Sequence, residues 1–141
     1  GPDYHKEKDP GTNLETYYKV SELHTGESAN IGIDGAQLEV KPTTHMVPCV
    51  ALRLTWKGVS FGYSADTGFD PELIDFFSNC DLIIHETGEG KGHTPLEDLL
   101  ALPSKIKQRM KLIHVADDFD LEASEIPVLQ EGRLYEVTPA K

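Results

Sequence analysis

Apolar and polar residues alternate most strictly between Ala51 and Trp56, where Leu52, Leu54 and Trp56 fall on one side and Ala51, Arg53 and Thr55 on the other. A period of two marks a half-buried strand. Lys57-Gly58 then reads as a hairpin turn, and the return strand Val59 to Tyr63 gathers Val59, Phe61 and Tyr63 on one side before a polar loop, Ser64-Ala65-Asp66-Thr67-Gly68. Upstream, Gln37 to Thr43 alternates well enough for a strand with Leu38 and Val40 facing one way, and Pro42 weakens its end. The run Asp81 to Glu86, with Leu82, Ile83 and Ile84 in succession, has the continuous apolar character of a fully buried strand. Leu112-Ile113-His114-Val115 reads the same way, ending near Asp117, and Leu134 to Thr138 is predicted as a last strand.

Between the strands the period lengthens. Asp70 can cap a helix that begins at Pro71 and buries Leu73, Ile74 and Phe77 before ending near Asn79. Thr94-Pro95-Leu96-Glu97 has the form of a capping box, which predicts a helix carrying Leu96, Leu99 and Leu100 inward. Pro103 breaks that helix and starts a short second one to Met110. Residues Leu14 to Leu23 fit a strand or a helical turn equally well. Residues 1–13 read as a solvated lead-in, with Gly1-Pro2 the expected scar of a tag-removing protease, and residues 14–141 as one folded unit. Strands, a hairpin, then alternating strand and helix predict a layered α/β or α+β domain with no internal repeat.

The chain has 141 residues, enough for one domain with a real core and no need of a structural metal on size grounds. Its 13 Lys and Arg against 24 Asp and Glu leave a net charge of −11, which repels a long phosphate backbone and makes a polyanionic nucleic acid an unexpected partner. The local basic run Lys105, Lys107, Arg109 and Lys111 reads as a solvated helix face. Cys49 and Cys80 lack the number and spacing of a disulfide framework, so reduced thiols in a cytoplasmic protein are expected. No apolar run approaches the roughly 18 residues that cross a bilayer, so no membrane is expected.

The candidate chemistry lies at the ends of the predicted strands. His45, Asp66, His93 and His114 each fall there or just before a helix, where loops gather on one rim of a sheet. Imidazoles and a carboxylate are the ligand set that Zn²⁺ prefers and that Mn²⁺ or Fe²⁺ also accept. One at a time, such residues are more often satisfied strand-end histidines or turn formers, and only their joint placement points to a metal.

Five segments, in this order, Thr44-His45-Met46-Val47-Pro48, Phe61-Gly62-Tyr63-Ser64-Ala65-Asp66-Thr67, Asp81-Leu82-Ile83-Ile84-His85-Glu86, Gly92-His93-Thr94 and Leu112-Ile113-His114, resemble the second half of metallo-β-lactamase-fold hydrolases, and most the branch of ribonuclease Z and cyclic-nucleotide phosphodiesterases. The likeness spans about residues 35 to 118. It implies an α+β fold, the C-terminal half of an αββα sandwich with one mixed sheet and flanking helices. It also implies roles: His45 as a ligand of a first metal, Asp66 as the carboxylate bridging both metals and His114 as a ligand of the second. His93 would stand beside the scissile phosphate, and Glu86 would orient an imidazole, His93 being the expected partner. His85 is expected to be a strand-end histidine without a metal role. The implied reaction is hydrolysis of a phosphodiester by a hydroxide held between two divalent ions, Zn, Mn or Fe.

The departures are equally informative. Nothing in the chain matches the family's first motif, His-x-His-x-Asp-His, since His5 and His24 stand alone. Each ion would then have two protein ligands where catalytic zinc keeps three, so metal is expected to bind weakly to this chain alone. Ala65 stands where the family usually has glycine, and Val115-Ala116-Asp117-Asp118 replaces the Ser-x-Arg-Tyr typical of ribonuclease Z. The short step from His45 to Asp66 leaves room only for a hairpin, not for a substrate arm. These features, with the acidic charge, favour a small phosphodiester such as a cyclic nucleotide over tRNA. A half-fold leaves an apolar sheet face bare, so the missing N-terminal half or a second copy of the chain is an expected partner. The rival expectation is a non-catalytic binding or dimerisation module, and a mononuclear site of Cys49 with His45 is a weaker third.

Overall fold

The computed structural model describes residue 15 and residues 17–140. The lead-in at residues 1–13 and His5 lie outside the described residues, and from residue 18 to residue 24 no helix or strand forms. Six strands make one mixed sheet in sequence order: β1 (Ser28–Asn30), β2 (Gln37–Pro42), β3 (Val50–Trp56), β4 (Val59–Tyr63), β5 (Leu82–Glu86) and β6 (Met110–Ile113). The first four pair antiparallel, and β4, β5 and β6 are parallel. Helix α1 (Pro71–Phe77) bridges β4 and β5, while α2 (Leu96–Leu100) and α3 (Ser104–Lys107) bridge β5 and β6. One mixed sheet with helices on one side is the α+β arrangement that the resemblance implies.

The helices cover one face of the sheet. Ala51, Ile83, Met110 and Leu112 point from the strands into a cluster with Leu73, Phe77 and Leu99 from the helices and Ile126 from the C-terminal segment. Arg53 crosses the same face at β3, forks onto Glu39 with two bonds of 2.9 Å, donates to the Phe76 carbonyl and lies over its ring. Beside Arg53 in register is Gly62, where a Cβ would overlap the Phe77 ring. Glycine there admits the aromatic ring to the sheet. Gly62→Ala is expected to cost about 1–3 kcal/mol through overpacking, read from urea midpoints, and an unchanged midpoint would mean that the ring is free to move aside.

On the other face Leu38, Leu52, Leu54, Phe61, Tyr63, Leu82 and Ile84 are only half-buried. Along its edge Val137 closes a cleft of about 260 Å³ with Leu54, Trp56, Val59 and Phe61.

Several expectations are corrected. Residues 134–138 form no strand: Leu134 is fully exposed, and the segment is tied back through its termini, Tyr135 accepting at Oη from the Gln130 N–H and Ala140 N–H bonding Asp81. Strand β1, which the sequence did not signal, pairs with β2 instead. The strand expected from Leu112 to Val115 is β6, two residues earlier, because α3 stops at Lys107. The basic run is not a solvated face throughout. Arg109 donates to the carbonyls of Lys105, Cys80 and Ser78, and Lys107 to the Leu100 carbonyl and to Glu125. Both cysteines are free, and burial pushes the Cys80 thiol up to about 11, so it stays protonated. Among the described residues no helix is long and apolar enough to cross a membrane.

Candidate functional site

Strand direction assembles the site. Because β3 is antiparallel to both neighbours, β2 points the same way as β4, and β5 and β6 follow β4. The loops leaving the C-terminal ends of β2, β4, β5 and β6 therefore share one rim, and they carry His45, Asp66, His93 and His114 respectively.

The side chains meet there. The rings of His45 and His93 lie 5.5 Å apart and those of His93 and His114 5.2 Å apart, and His114 Nδ1 is 4.0 Å from Asp66 Oδ1. His114 and Ala65 hold left-handed backbone, at φ 60° and 51°, each just past a strand end. Such conformations cost non-glycine residues free energy, and here they turn the chain sharply at the two positions that aim His114 and Asp66.

Beneath this rim Glu86 is buried, at 1% exposure. Its Oε1 accepts from the Thr67 N–H at 2.8 Å and from His93 Nδ1 at 3.0 Å, and its Oε2 accepts from the Thr94 N–H at 3.3 Å. An ionised carboxylate only accepts, so the proton of this pair sits on His93 Nδ1 and His93 Nε2 is the nitrogen left for other chemistry. The same geometry decides which residues are available to a cation. The tightest trio of ligand atoms among the described residues belongs to Glu86, His93 and His114, within 4.8 Å of one another. Glu86 is a poor member of it, because three of its roughly four acceptor sites are already taken by the Thr67 and Thr94 N–H groups and the His93 ring. Asp66, whose side chain is 43% exposed and makes no hydrogen bond among the described residues, is the free carboxylate of the rim.

The donor set fits part of a divalent-cation site. Two ligands of one tetrahedral zinc stand roughly 3.3 Å apart at bond lengths near 2 Å, and Asp66 and His114 approach that with a small side-chain rotation still to make. His45 stands further off, its ring against Gly92, whose Cβ position lies 3.1 Å from His45 Cδ2. Cys49 offers its carbonyl to Thr43, and no described contact brings its thiol to His45.

His85, next to Glu86 but pointing to the helix-covered face, is fully buried. Its Nδ1 donates to the Glu86 carbonyl at 2.7 Å, and its Nε2 has no hydrogen-bond partner among the described residues. Burial holds its pKa below the ordinary histidine value of 6.5. The folded state thus binds this proton less readily than the unfolded chain. Its contribution to stability is complete above pH 6.5 and is lost as pH falls from there through the lowered folded value. Urea midpoints are expected to fall between pH 7.5 and pH 5 more steeply in the natural chain than in His85→Leu; parallel curves would show that His85 is not the sensor.

The sequence missed the threonines. Thr43 Oγ1 donates to the Asp66 carbonyl at 2.7 Å, Gly68 N–H to the Thr44 carbonyl at 2.7 Å, and Thr94 Oγ1 to the Thr67 carbonyl at 2.8 Å. The capping box expected at Thr94 is not formed: α2 has Pro95 at its cap position and no side-chain cap bond. Its Thr-x-x-Glu spacing marked the right residue for the wrong task.

A family model described as Anti-Pycsar protein Apyc1 matches residues 2–135. The cAMP/cGMP-dependent 3',5'-cAMP/cGMP phosphodiesterase B of Dictyostelium discoideum is 29% identical over 135 residues, covering 83% of this chain and 12% of that protein. The Anti-Pycsar protein Apyc1 of Saccharibacillus brassicae is 30% identical over 133 residues, covering 88% of this chain and 54% of its own length. Among solved structures, a diphosphatase from the PhnP family superposes with a TM-score of 0.62 at 15% identity, over 84% of this chain and 50% of that one. The metallo-β-lactamase fold protein YhfI of Bacillus subtilis gives 0.58 at 22% identity, over 70% and 43%. The chain thus spans about half the length of the bacterial relative and of both structures, and a far smaller part of the Dictyostelium enzyme.

Proposed function

Because the chain belongs to the Anti-Pycsar protein Apyc1 family, on the metallo-β-lactamase fold, we propose that it is the C-terminal half of a metal-dependent phosphodiesterase acting on a small phosphodiester, a cyclic nucleotide above all. The observation that carries this reading is the meeting of His45, Asp66, His93 and His114 on one rim over the buried Glu86. Asp66 and His114, with His45, would hold divalent cations, which when bound supply Lewis acidity and an activated water. Asp66 would be the carboxylate of this ligand set, and the remaining ligands would come from an upstream half.

His93 is assigned the proton. The Glu86 carboxylate fixes its Nδ1–H, which leaves Nε2 turned to the substrate as the nitrogen that carries the transferred proton. That proton passes from Nε2 to the departing ester oxygen as the phosphorus–oxygen bond breaks, and the imidazolium first stabilises the charge on the phosphoryl oxygens. The preference for a small substrate rests on the net charge of −11, on a tight β3–β4 hairpin in place of a substrate arm, and on the cyclic nucleotides in the name of the Dictyostelium relative. The bare face carrying Leu38, Leu54 and Phe61 is where the upstream half would pack.

Mixing the chain with the upstream half of a family member in Mn²⁺ or Zn²⁺ tests the reading. Hydrolysis of bis-p-nitrophenyl phosphate or of a cyclic nucleotide is expected from the mixture and not from the chain alone. Its absence from a mixture shown to associate would point to a binding module.

A further inference from the structure

Thr94 uses every polar atom it has. Its N–H bonds Glu86 Oε2, its hydroxyl bonds the Thr67 carbonyl, and its own carbonyl accepts from the Gly88 N–H at 3.0 Å and from Thr87 Oγ1 at 2.9 Å. The residue is wholly buried, as is Thr67. Two loops are thereby fastened to each other at two points, once through the Thr94 hydroxyl and once through the Glu86 carboxylate that takes both the Thr67 and the Thr94 N–H. The flanking residues are Asp66 on one loop and His93 on the other.

The local cost makes the arrangement informative. A threonine three residues before a glutamate would ordinarily cap the helix, yet α2 is left with no side-chain cap. A residue that gives up a favourable local bond for a long-range one marks a position where geometry elsewhere is being held. We propose that Thr94 is a positioning residue: its hydroxyl, by fixing the Thr67 carbonyl, sets the separation of Asp66 from His93. The span between the carboxylate that holds a cation and the imidazole that moves a proton then depends on this hydroxyl together with the Glu86 carboxylate. The kinetic arm of this claim rests on the phosphodiesterase reading, whereas the geometric arm does not.

The test compares Thr94→Val, which keeps the shape and removes the donor, with Thr94→Ser, which keeps the donor. In the completed enzyme Thr94→Val is expected to lower kcat by about 10- to 100-fold, as loss of partners behind catalytic groups typically does, with KM within about twofold. Thr94→Ser is expected to recover most of it. On the chain alone, without metal, the His93 Nδ1–H bonded to Glu86 is read as a downfield proton resonance, identified by its loss in His93→Gln. That resonance is expected to broaden or vanish in Thr94→Val and to persist in Thr94→Ser. A folded valine variant with unchanged kcat and unchanged resonance overturns the proposal, as does an equal loss in both variants. Should the completed enzyme prove inactive, the phosphodiesterase reading fails and the resonance alone decides the positioning claim. If Thr94→Val does not fold, Thr94→Ala, which leaves room for a water to reach the Thr67 carbonyl, replaces it on the same readings.

Discussion

Replacing Glu86 with alanine is expected to cost about 3 kcal/mol or more and to unfold a marginal domain, since each stranded buried donor costs about 1–3 kcal/mol. Three donors depend on the carboxylate: the N–H groups of Thr67 and Thr94 and the His93 ring. The two N–H groups cannot turn to water, because Thr67 and Thr94 are wholly buried, whereas the His93 side chain is 21% exposed. Glu86→Gln separates charge from shape. The amide oxygen can still serve one side of the fork, but its NH₂ group must then face a donor, so a loss of about 1–3 kcal/mol is expected, smaller than that of alanine. Urea denaturation of both variants gives the comparison. An alanine variant within about 1 kcal/mol of the natural chain would mean that water reaches these donors and that the hub is looser than its burial indicates.

Most of the sheet was legible because its signals are local. Leu52, Leu54 and Trp56 alternate with Ala51, Arg53 and Thr55, and the strand appears within one residue of that pattern. The assignment of faces was not legible: alternation names two sides without saying which is buried, and it is small Ala51 and charged Arg53 that meet the helices while Leu52 and Leu54 look outward. On the proposed reading, that inversion would suit a face kept apolar for an upstream half. Residues 134–138 have strand-forming composition but pair with no strand and are held instead by the Tyr135 and Ala140 bonds, so propensity there was overridden by tertiary context. For the site, strand ends and residue types gave His45, Asp66, His93 and His114 as candidates and the family resemblance added Glu86; the structure places the four on one rim with Glu86 beneath them. The hydroxyl bonds of Thr43 and Thr94 were invisible because each joins loops far apart in sequence, and threonine is read first as a cap or a strand former.

Asp66→Ala is expected to leave the fold intact and to weaken divalent-metal binding by at least about 100-fold, the upper range seen even for residues that only support a ligand. The contrast with Glu86 is the reason. Both are carboxylates of the site, but the loop around Asp66 is held without the Asp66 side chain, through Thr43 Oγ1 on the Asp66 carbonyl, Glu86 on the Thr67 N–H, Thr94 on the Thr67 carbonyl and the Thr44 N–H on Thr67 Oγ1. Its side chain carries none of that load and stands 43% exposed, 4.0 Å from His114 Nδ1. On the proposed reading this free carboxylate would serve a ligand, and its loss should cost little stability. Calorimetric titration with Zn²⁺ or Mn²⁺, on the chain alone for the weak half-site and on the completed assembly for the full one, measures the affinity, and thermal midpoints without metal serve as the control. Asp66→Asn should lose nearly as much as alanine, because an amide keeps the shape and one oxygen but not the charge that offsets the cations. If Asp66→Ala binds metal within about threefold of the natural chain while Glu86→Gln does not, the buried carboxylate is the ligand and the two acids exchange roles.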